Sequence, residues 1–95
     1  MIELHREARA EVRAARRYYR KDDPRVAREF MAELDRAMES IAVSPERWPT
    51  GFTGTRRRTL RKFPYAIVYV IRDVKVLVIA VAHHRQRPGY WRDRL

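Results

Sequence analysis

Apolar residues in the first half of the chain recur at helical spacing. The first stripe consists of Ala8, Val12, Ala15 and Tyr19, at steps of four, three and four, which indicates one face of a helix over about 7–20. A second, wider stripe consists of Val26, Ala27, Phe30, Met31, Leu34, Ala37, Met38 and Ile41. Between them, Asp23 can cap the second helix and Pro24 fits its first position. The pattern predicts an antiparallel helical hairpin.

The second half has the pattern of strands. A basic run over about 56–62 is followed by two β-branched runs, 65–71 and 74–82, with a tight turn expected at Arg72-Asp73. Ile2 and Leu4 alternate with polar residues and predict a further short strand before the hairpin. We therefore predict an α+β fold of order β-α-α-β-β-β, with the helical hairpin packed on a small, mostly antiparallel sheet.

The two long β runs are apolar at successive positions, so both of their faces should be buried. A two-helix layer covers only one face of a sheet. The other face needs the loop and C-terminal tail, a second copy of the chain or a partner protein. For a chain of 95 residues, we favour a partner.

The composition limits what the protein can be. A length of 95 residues suits one domain, residues 1–95, with a single core. The absence of cysteine excludes disulfides and thiolate zinc sites. Neither a signal-like apolar segment nor an apolar run of about 18 residues is present. We therefore expect a cytoplasmic protein with no membrane partner.

The net charge of +10 is unevenly distributed. Residues 1–45 hold ten Lys/Arg and nine Asp/Glu, whereas residues 46–95 hold twelve Lys/Arg and only Glu46, Asp73 and Asp93 as acids. The second half is a concentrated positive field that would attract a polyanion or an acidic protein. Its basic run 56–62 can bind phosphate or carboxylate, or can protect an exposed strand edge against aggregation.

Three segments together resemble the RelE/ParE toxin superfamily of bacterial type II toxin–antitoxin modules, which includes plasmid stabilisation proteins. The first is the strand and helical hairpin with Tyr18-Tyr19. The second is the run from Leu60 through Phe63-Pro64-Tyr65, and the third is the run of His, Arg, Pro, Tyr and Trp over residues 83–94. The resemblance covers essentially the whole chain in order.

The resemblance implies a cognate antitoxin whose extended, acidic C-terminal segment wraps and neutralises the toxin, in a hetero-oligomer. Such a segment would also cover the second face of the sheet. The residues expected to contact the antitoxin are Tyr18, Tyr19, Phe30 and Leu34.

The superfamily divides into ribosome-dependent mRNA endoribonucleases and inhibitors of DNA gyrase, and the resemblance is closer to the ParE branch. The nucleases carry basic groups along the second strand, an arginine after the tyrosine of the third strand, and a C-terminal arginine and tyrosine. Here Arg57 and Tyr90 fit, but Thr59 and Ala66 stand where charge is expected. We therefore expect a non-enzymatic gyrase inhibitor, with the nuclease or a diverged, inactive member as the alternatives.

Two sets of candidate residues follow. Metal-free RNA cleavage needs a base, an acid and cations, and histidine titrates in the right range. For His83 and His84 we nevertheless favour a structural role at a strand end, with one ring facing the core and the other facing solvent. The nuclease candidates are Arg57, Arg61, His83, His84, Arg85 and Tyr90. The candidates for binding a target are Arg56, Arg57, Arg58, Arg61, Lys62, Arg85, Arg87, Tyr90, Trp91 and Arg94. Acids are sparse in this half and no glycine-rich phosphate loop is present, so we expect no metal and no cofactor.

Overall fold

The computed structural model describes residues 2–95, apart from the side chain of Phe52. Its helices and strands, in chain order, are β1 (Ile2–Leu4), α1 (Arg6–Asp22), α2 (Pro24–Val43), β2 (Arg56–Thr59), β3 (Tyr65–Arg72) and β4 (Lys75–His83). The sheet has the order β1-β4-β3-β2. β1 runs parallel to β4, and the other pairs are antiparallel. The α+β fold and its order of elements are therefore confirmed.

The turn between the helices depends on one residue. Asp23 ends α1 in extended conformation, and its carboxylate accepts a hydrogen bond of 2.9 Å from the backbone N–H of Arg25. Pro24 follows as the first residue of α2, where its missing N–H leaves no bond unmade. At the other end of α1, Nδ1 of His5 accepts from the N–H of Glu7 at 3.0 Å and caps the helix. α1 begins one residue before and ends two residues after the predicted bounds of about 7–20, as is usual for helix ends. α2 begins at Pro24, as predicted.

The hairpin between β3 and β4 turns one residue later than predicted. Arg72 and Lys75 are paired across the strands, so the two turn residues are Asp73 and Val74. Asp73 adopts a φ of 58°, a left-handed conformation that aspartate tolerates better than β-branched residues. The predicted turn at Arg72-Asp73 is wrong because Arg72 still pairs within the ladder.

β2 is shorter than the predicted basic strand. It ends at Thr59, and the chain then leaves the sheet through a bend. The carboxylate of Glu33, from α2, accepts the backbone N–H of Arg61 and of Lys62. Those two donors are therefore bound to a helix rather than to a strand, so the strand over 56–62 is corrected to Arg56–Thr59.

Two apolar clusters lie on the two faces of the sheet. The first lies between the sheet and the helices and includes Phe30, Ile41, Ile67 and Tyr69. The second lies on the opposite face and consists of Val68, Val70, Ile79, Ala80, Ala82 and Trp91, with Leu77 and Tyr90 packed against it. A bulge separates the pairs Val68–Ala80 and Tyr69–Val78, so that Ile79 and Ala80 both belong to this second cluster.

The second face is closed by the chain itself. Trp91, only 7% exposed, packs on this face from the C-terminal segment. Of the three coverings considered for this face, the C-terminal tail is the one observed, so the preference for a partner protein is wrong. The side chain of Trp91 supplies apolar area on the face that the two-helix layer cannot cover. Across the described part of the chain, neither helix is long and apolar enough to cross a membrane.

Candidate functional site

An open groove of ≈ 770 Å³ runs between α1 and the end of β4. Tyr18 and Tyr19 lie on its α1 side, and Tyr65, His83 and Arg85 line the side of the sheet. Tyr18 is 70% exposed. The groove thus combines aromatic side chains with an exposed cation, which suits an extended protein segment that has both apolar and acidic side chains.

The floor of the groove is an aromatic cluster. The ring of Tyr19 packs against Phe30, Phe63 and Tyr65, with centroid distances of 5.4, 5.1 and 6.4 Å. Burial raises the pKa of Tyr65 to about 12, and the neighbouring Tyr19 adds to the rise. Burial also raises the pKa of Tyr19. These hydroxyls keep their protons at neutral pH, so neither tyrosine can act there as a base.

The two histidines occupy different environments at the end of β4. The ring of His83 packs edge-on against Tyr65 at 5.0 Å, and its Nδ1 accepts a hydrogen bond of 3.0 Å from the backbone N–H of Arg85. The neutral ring therefore carries its proton on Nε2. His84 is exposed, and its backbone N–H donates to the carbonyl of Pro64 at 2.9 Å. In this arrangement the His83 ring orders the turn after β4.

The carboxylate of Glu11, on α1, holds the C-terminal segment. It accepts hydrogen bonds from the Tyr90 hydroxyl at 2.6 Å and from both terminal nitrogens of Arg94 at 3.0 Å. It also accepts the backbone N–H of Val81 at 3.0 Å. Burial, followed by the Glu11 carboxylate, raises the pKa of Tyr90. Tyr90 and Arg94 are therefore engaged inside the protein.

Glu11 was not among the sequence candidates, although the pattern contains a signal for it. Ala8, Glu11 and Ala15 are spaced by three and four residues, which places a carboxylate on the apolar face of α1. A charged group on such a face requires a buried partner. The partner, Arg94, lies 83 residues along the chain and could not be identified from local spacing.

The basic residues of β2 divide between the two faces of the sheet. Arg56 donates to the backbone carbonyls of Glu46 and Trp48 at 3.2 and 2.6 Å. On the same face, Arg58 donates to the Ser40 hydroxyl at 3.3 Å and lies over the Trp48 ring. These two arginines thereby fasten the loop after α2 and α2 itself to the sheet.

Arg57 points to the other face, into a cleft of ≈ 400 Å³. Val68 and Trp91 line this cleft together with Pro49 and Pro88. Arg57 is exposed, whereas Trp91 is mostly buried. We call this feature the Arg57 cleft. It has apolar lining residues and a cation, and it is separate from the groove.

The remaining target-binding candidates lie elsewhere on the surface. Arg61 and Lys62 are exposed and flank a depression with Arg36 and Arg58. Arg85 and Arg87 are exposed on the segment after β4.

Of the predicted antitoxin contacts, Phe30 and Leu34 are 0% and 2% exposed, so they are core residues that offer no surface to a partner.

The nuclease candidates do not form one constellation. Arg57 pairs with Val68, which belongs to the second cluster, and His83 pairs with Tyr65, which packs on the first cluster. Because directly paired residues share a face, Arg57 and His83 lie on opposite faces of the sheet. Arg61 lies at a third place and Tyr90 is bound to Glu11. Within residues 2–95, no three His, Asp or Glu side chains are grouped to hold a metal ion.

Thr59 and Ala66, the two uncharged positions where the resemblance implies cations, are neighbours in the sheet. Thr59 pairs directly with Ala66 across β2 and β3, on the face that carries Arg57, since alternate residues share a face. The place where the resemblance expects two cations therefore holds a hydroxyl and a methyl group.

Comparisons with known proteins agree on one family. The model of the ParE toxin of the type II toxin–antitoxin system parDE matches residues 2–88. A candidate toxin named Y4kP, from Sinorhizobium fredii (strain NBRC 101917 / NGR234), is 36% identical over 70 residues, which cover 72% of this chain and 73% of that protein. A structure of the chromosomal ParDE toxin–antitoxin system from P. aeruginosa matches with a TM-score of 0.76 at 15% identity, covering 86% of this chain and 92% of that one. At this low identity, the structural match shows the shared fold.

Proposed function

Because the chain belongs to the ParE toxin family of type II toxin–antitoxin systems, we propose that this toxin binds and inhibits DNA gyrase and breaks no bond itself. The observation that carries the proposal is the separation of the nuclease candidates, with Arg57 and His83 on opposite faces of the sheet. A base, an acid and phosphate-binding cations must all reach one phosphodiester. Residues on opposite faces do not meet this requirement.

We assign gyrase binding to the Arg57 cleft. Its wall of Val68, Pro49 and Pro88 can accept an apolar side chain, and Arg57 can pair with a carboxylate beside it. Trp91 shapes the cleft from within, and Tyr90 supports the segment through Glu11. In this assignment Tyr90, Trp91 and Arg94 act by holding the surface in shape, and Arg85 and Arg87 extend its positive field.

We assign antitoxin binding to the groove beside α1. Tyr18 presents an exposed ring there and Tyr19 forms part of the floor. An acidic, extended segment of a cognate antitoxin would find Arg85 beside those rings. Neutralisation then follows if the bound antitoxin keeps gyrase from the toxin.

The experiment that tests the proposed target compares two assays on the same purified toxin. Gyrase supercoiling of relaxed plasmid should be inhibited, whereas mRNA on translating ribosomes should remain intact. Cleaved mRNA with unaffected supercoiling would assign the chain to the ribosome-dependent endoribonucleases instead. An absence of both activities would identify a diverged member that acts only as an antitoxin-bound partner.

The Arg57 cleft is tested with a matched pair of charge variants. Arg57→Gln should weaken inhibition of gyrase by about tenfold, the loss expected for one charge-assisted contact of roughly 1.4 kcal/mol. Arg17→Gln removes an exposed cation from α1, away from the cleft, and should leave inhibition unchanged. Equal effects of the two variants would contradict the assignment to this cleft.

A further inference from the structure

A cluster of cations without carboxylate partners lies where α2 meets the loop after β2. Arg36 from α2, Arg58 from β2, and Arg61 and Lys62 from the loop surround one depression of ≈ 590 Å³. We call these four residues the basic corner. The cleft used for gyrase binding lies elsewhere and shares none of these residues.

The one acid that lines the basic corner offsets only part of its charge and, in the described part of the chain, forms no ion pair with the four cations. Glu33 also lines the depression, but it is 7% exposed and its two oxygens accept the backbone N–H groups of Arg61 and Lys62. Among the described residues, the ion pairs are Arg25–Asp23 and Arg94–Glu11, and neither involves the corner. Four positive side chains thus line one depression with a single carboxylate, so the basic corner has an excess of positive charge that an external anion would offset.

One cation of the corner is held in place before any ligand arrives. The Nε of Arg58 donates to the Ser40 hydroxyl at 3.3 Å, and one terminal nitrogen donates to the carbonyl of Thr59 at 2.9 Å. Its guanidinium carbon also lies 5.3 Å from the centre of the Trp48 ring. The other terminal nitrogen has no hydrogen bond within the described chain and can donate outward. A fixed guanidinium plane is suited to phosphate oxygens.

The lining of the corner favours a nucleic-acid backbone over a protein. Its five lining residues are all charged: Glu33, Arg36, Arg58, Arg61 and Lys62. Protein partners gain most of their affinity from aromatic or aliphatic anchors, and this depression offers no apolar side chain to receive one. Nucleic-acid backbones gain affinity from neutralised phosphates and released counterions, without apolar contact.

We propose that the basic corner binds the phosphodiester backbone of duplex DNA, independently of base sequence. That the ligand carries phosphate groups is inferred from the lining of the basic corner alone. The choice of DNA over RNA rests on the proposed gyrase target, whose substrate is duplex DNA. With the Arg57 cleft on gyrase, the corner would add contacts to DNA held in the same complex.

The test measures binding of the purified full-length toxin to fluorescently labelled duplex DNA, by anisotropy over a series of salt concentrations. The triple variant Arg36→Gln, Arg61→Gln, Lys62→Gln should bind at least about tenfold more weakly at low salt. For this variant, the slope of log affinity against log salt concentration should be less steep by about 2–3, since each lost phosphate contact removes ~0.9 from the slope. Arg58 is kept because its contacts to Ser40 and Thr59 support the fold.

The matched control removes the same charge from another surface. Arg9, Arg13 and Arg17 are exposed on α1, and changing all three to Gln should retain most of the parent affinity and salt slope. Equal losses in the two triple variants would overturn the proposal, because net charge alone would then explain binding. Circular dichroism of both variants should match that of the parent.

Two further binding measurements distinguish duplex DNA from an acidic protein and from RNA as the ligand of the basic corner. Polyglutamate that displaces DNA at equal charge concentration would overturn the proposal in favour of an acidic protein partner. Single-stranded RNA that binds more tightly than duplex DNA would overturn the assignment to DNA. A parent toxin that inhibits gyrase without binding DNA contradicts this inference alone, whereas one that binds DNA without inhibiting gyrase contradicts only the proposed target.

Discussion

Two carboxylates, one on each helix, hold irregular segments of this protein in place. Glu11 joins α1 to Tyr90, to Arg94 and to the backbone of β4. Glu33 joins α2 to the loop after β2 in the same way. Since a partly buried carboxylate needs several donors to offset its lost hydration, each one fixes the position of an otherwise irregular segment.

Replacing Glu11 should therefore be costly. Glu11→Gln loses the ion pair with Arg94, whose side chain is only 15% exposed, and should lower the free energy of unfolding by about 2 kcal/mol. Arg25→Gln removes the exposed ion pair with Asp23 and should cost about 0.5 kcal/mol or less. Urea unfolding of both variants provides the comparison, and equal losses would show that Glu11 has no special role.

The raised pKa of Tyr65 predicts a loss of stability in alkali. The ordinary value of 10.0 applies to the unfolded chain, and the folded value is about 12. Between these values the unfolded chain binds fewer protons, so the free energy of unfolding falls as the pH rises, and the full contribution is present only below pH 10.

The measurement compares the parent with Tyr65→Phe by urea unfolding, below pH 10 and between pH 10 and 12. The variant should lose less stability over that interval, because phenylalanine does not ionise. A loss as large as that of the parent would show that Tyr65 is not the group responsible. Any constant cost of the substitution cancels between the two pH values.

At the scale of elements, the C-terminal segment determines how the second face of the sheet is covered. Gly89 has a φ of 76°, and a Cβ there would lie 2.7 Å from the side chain of Arg92. Glycine therefore allows the chain to turn back tightly at this point. Trp91 then packs on the second cluster and Arg94 reaches Glu11, so this irregular segment is part of the core.

Tryptophan fluorescence can test this packing directly. The chain has two tryptophans, and Trp48→Phe leaves Trp91 as the sole emitter. Its emission should be blue-shifted and resistant to iodide quenching until the protein is unfolded in urea. The reverse variant, Trp91→Phe, should leave a more readily quenched Trp48, which is partly exposed. A red-shifted, readily quenched Trp91 would contradict the observed packing.

The elements that were predictable from the sequence are those with a periodic pattern. The stripes containing Ala8 and Phe30 specify the helices, and the β-branched runs specify β3 and β4. The end of β2 was predicted too late, because the N–H groups of Arg61 and Lys62 bind Glu33 from a distant helix. The same limitation applies to the candidate site. Alternation along a strand places Arg57 on the face opposite to Arg56 and Arg58, but which face carries Arg57 depends on the register with β3.

At the scale of the whole molecule, the positive charge is divided among surfaces of different chemistry. The groove has aromatic rings beside Arg85, the Arg57 cleft has apolar walls, and the basic corner is lined only by charged side chains. The partners that we propose for these three surfaces are, in the same order, an antitoxin segment, gyrase and DNA. The uncharged pair Thr59–Ala66 is consistent with the proposed action by binding.

The most direct test of the binding mechanism is inhibition of gyrase supercoiling by the double variant His83→Ala, His84→Ala, measured against the parent and with its fold checked by circular dichroism. We predict that its half-inhibitory concentration differs from that of the parent by less than about threefold, or under 1 kcal/mol. Inhibition by binding would be contradicted if the parent left supercoiling unaffected but cleaved ribosome-bound mRNA, and if the double variant lost that cleavage.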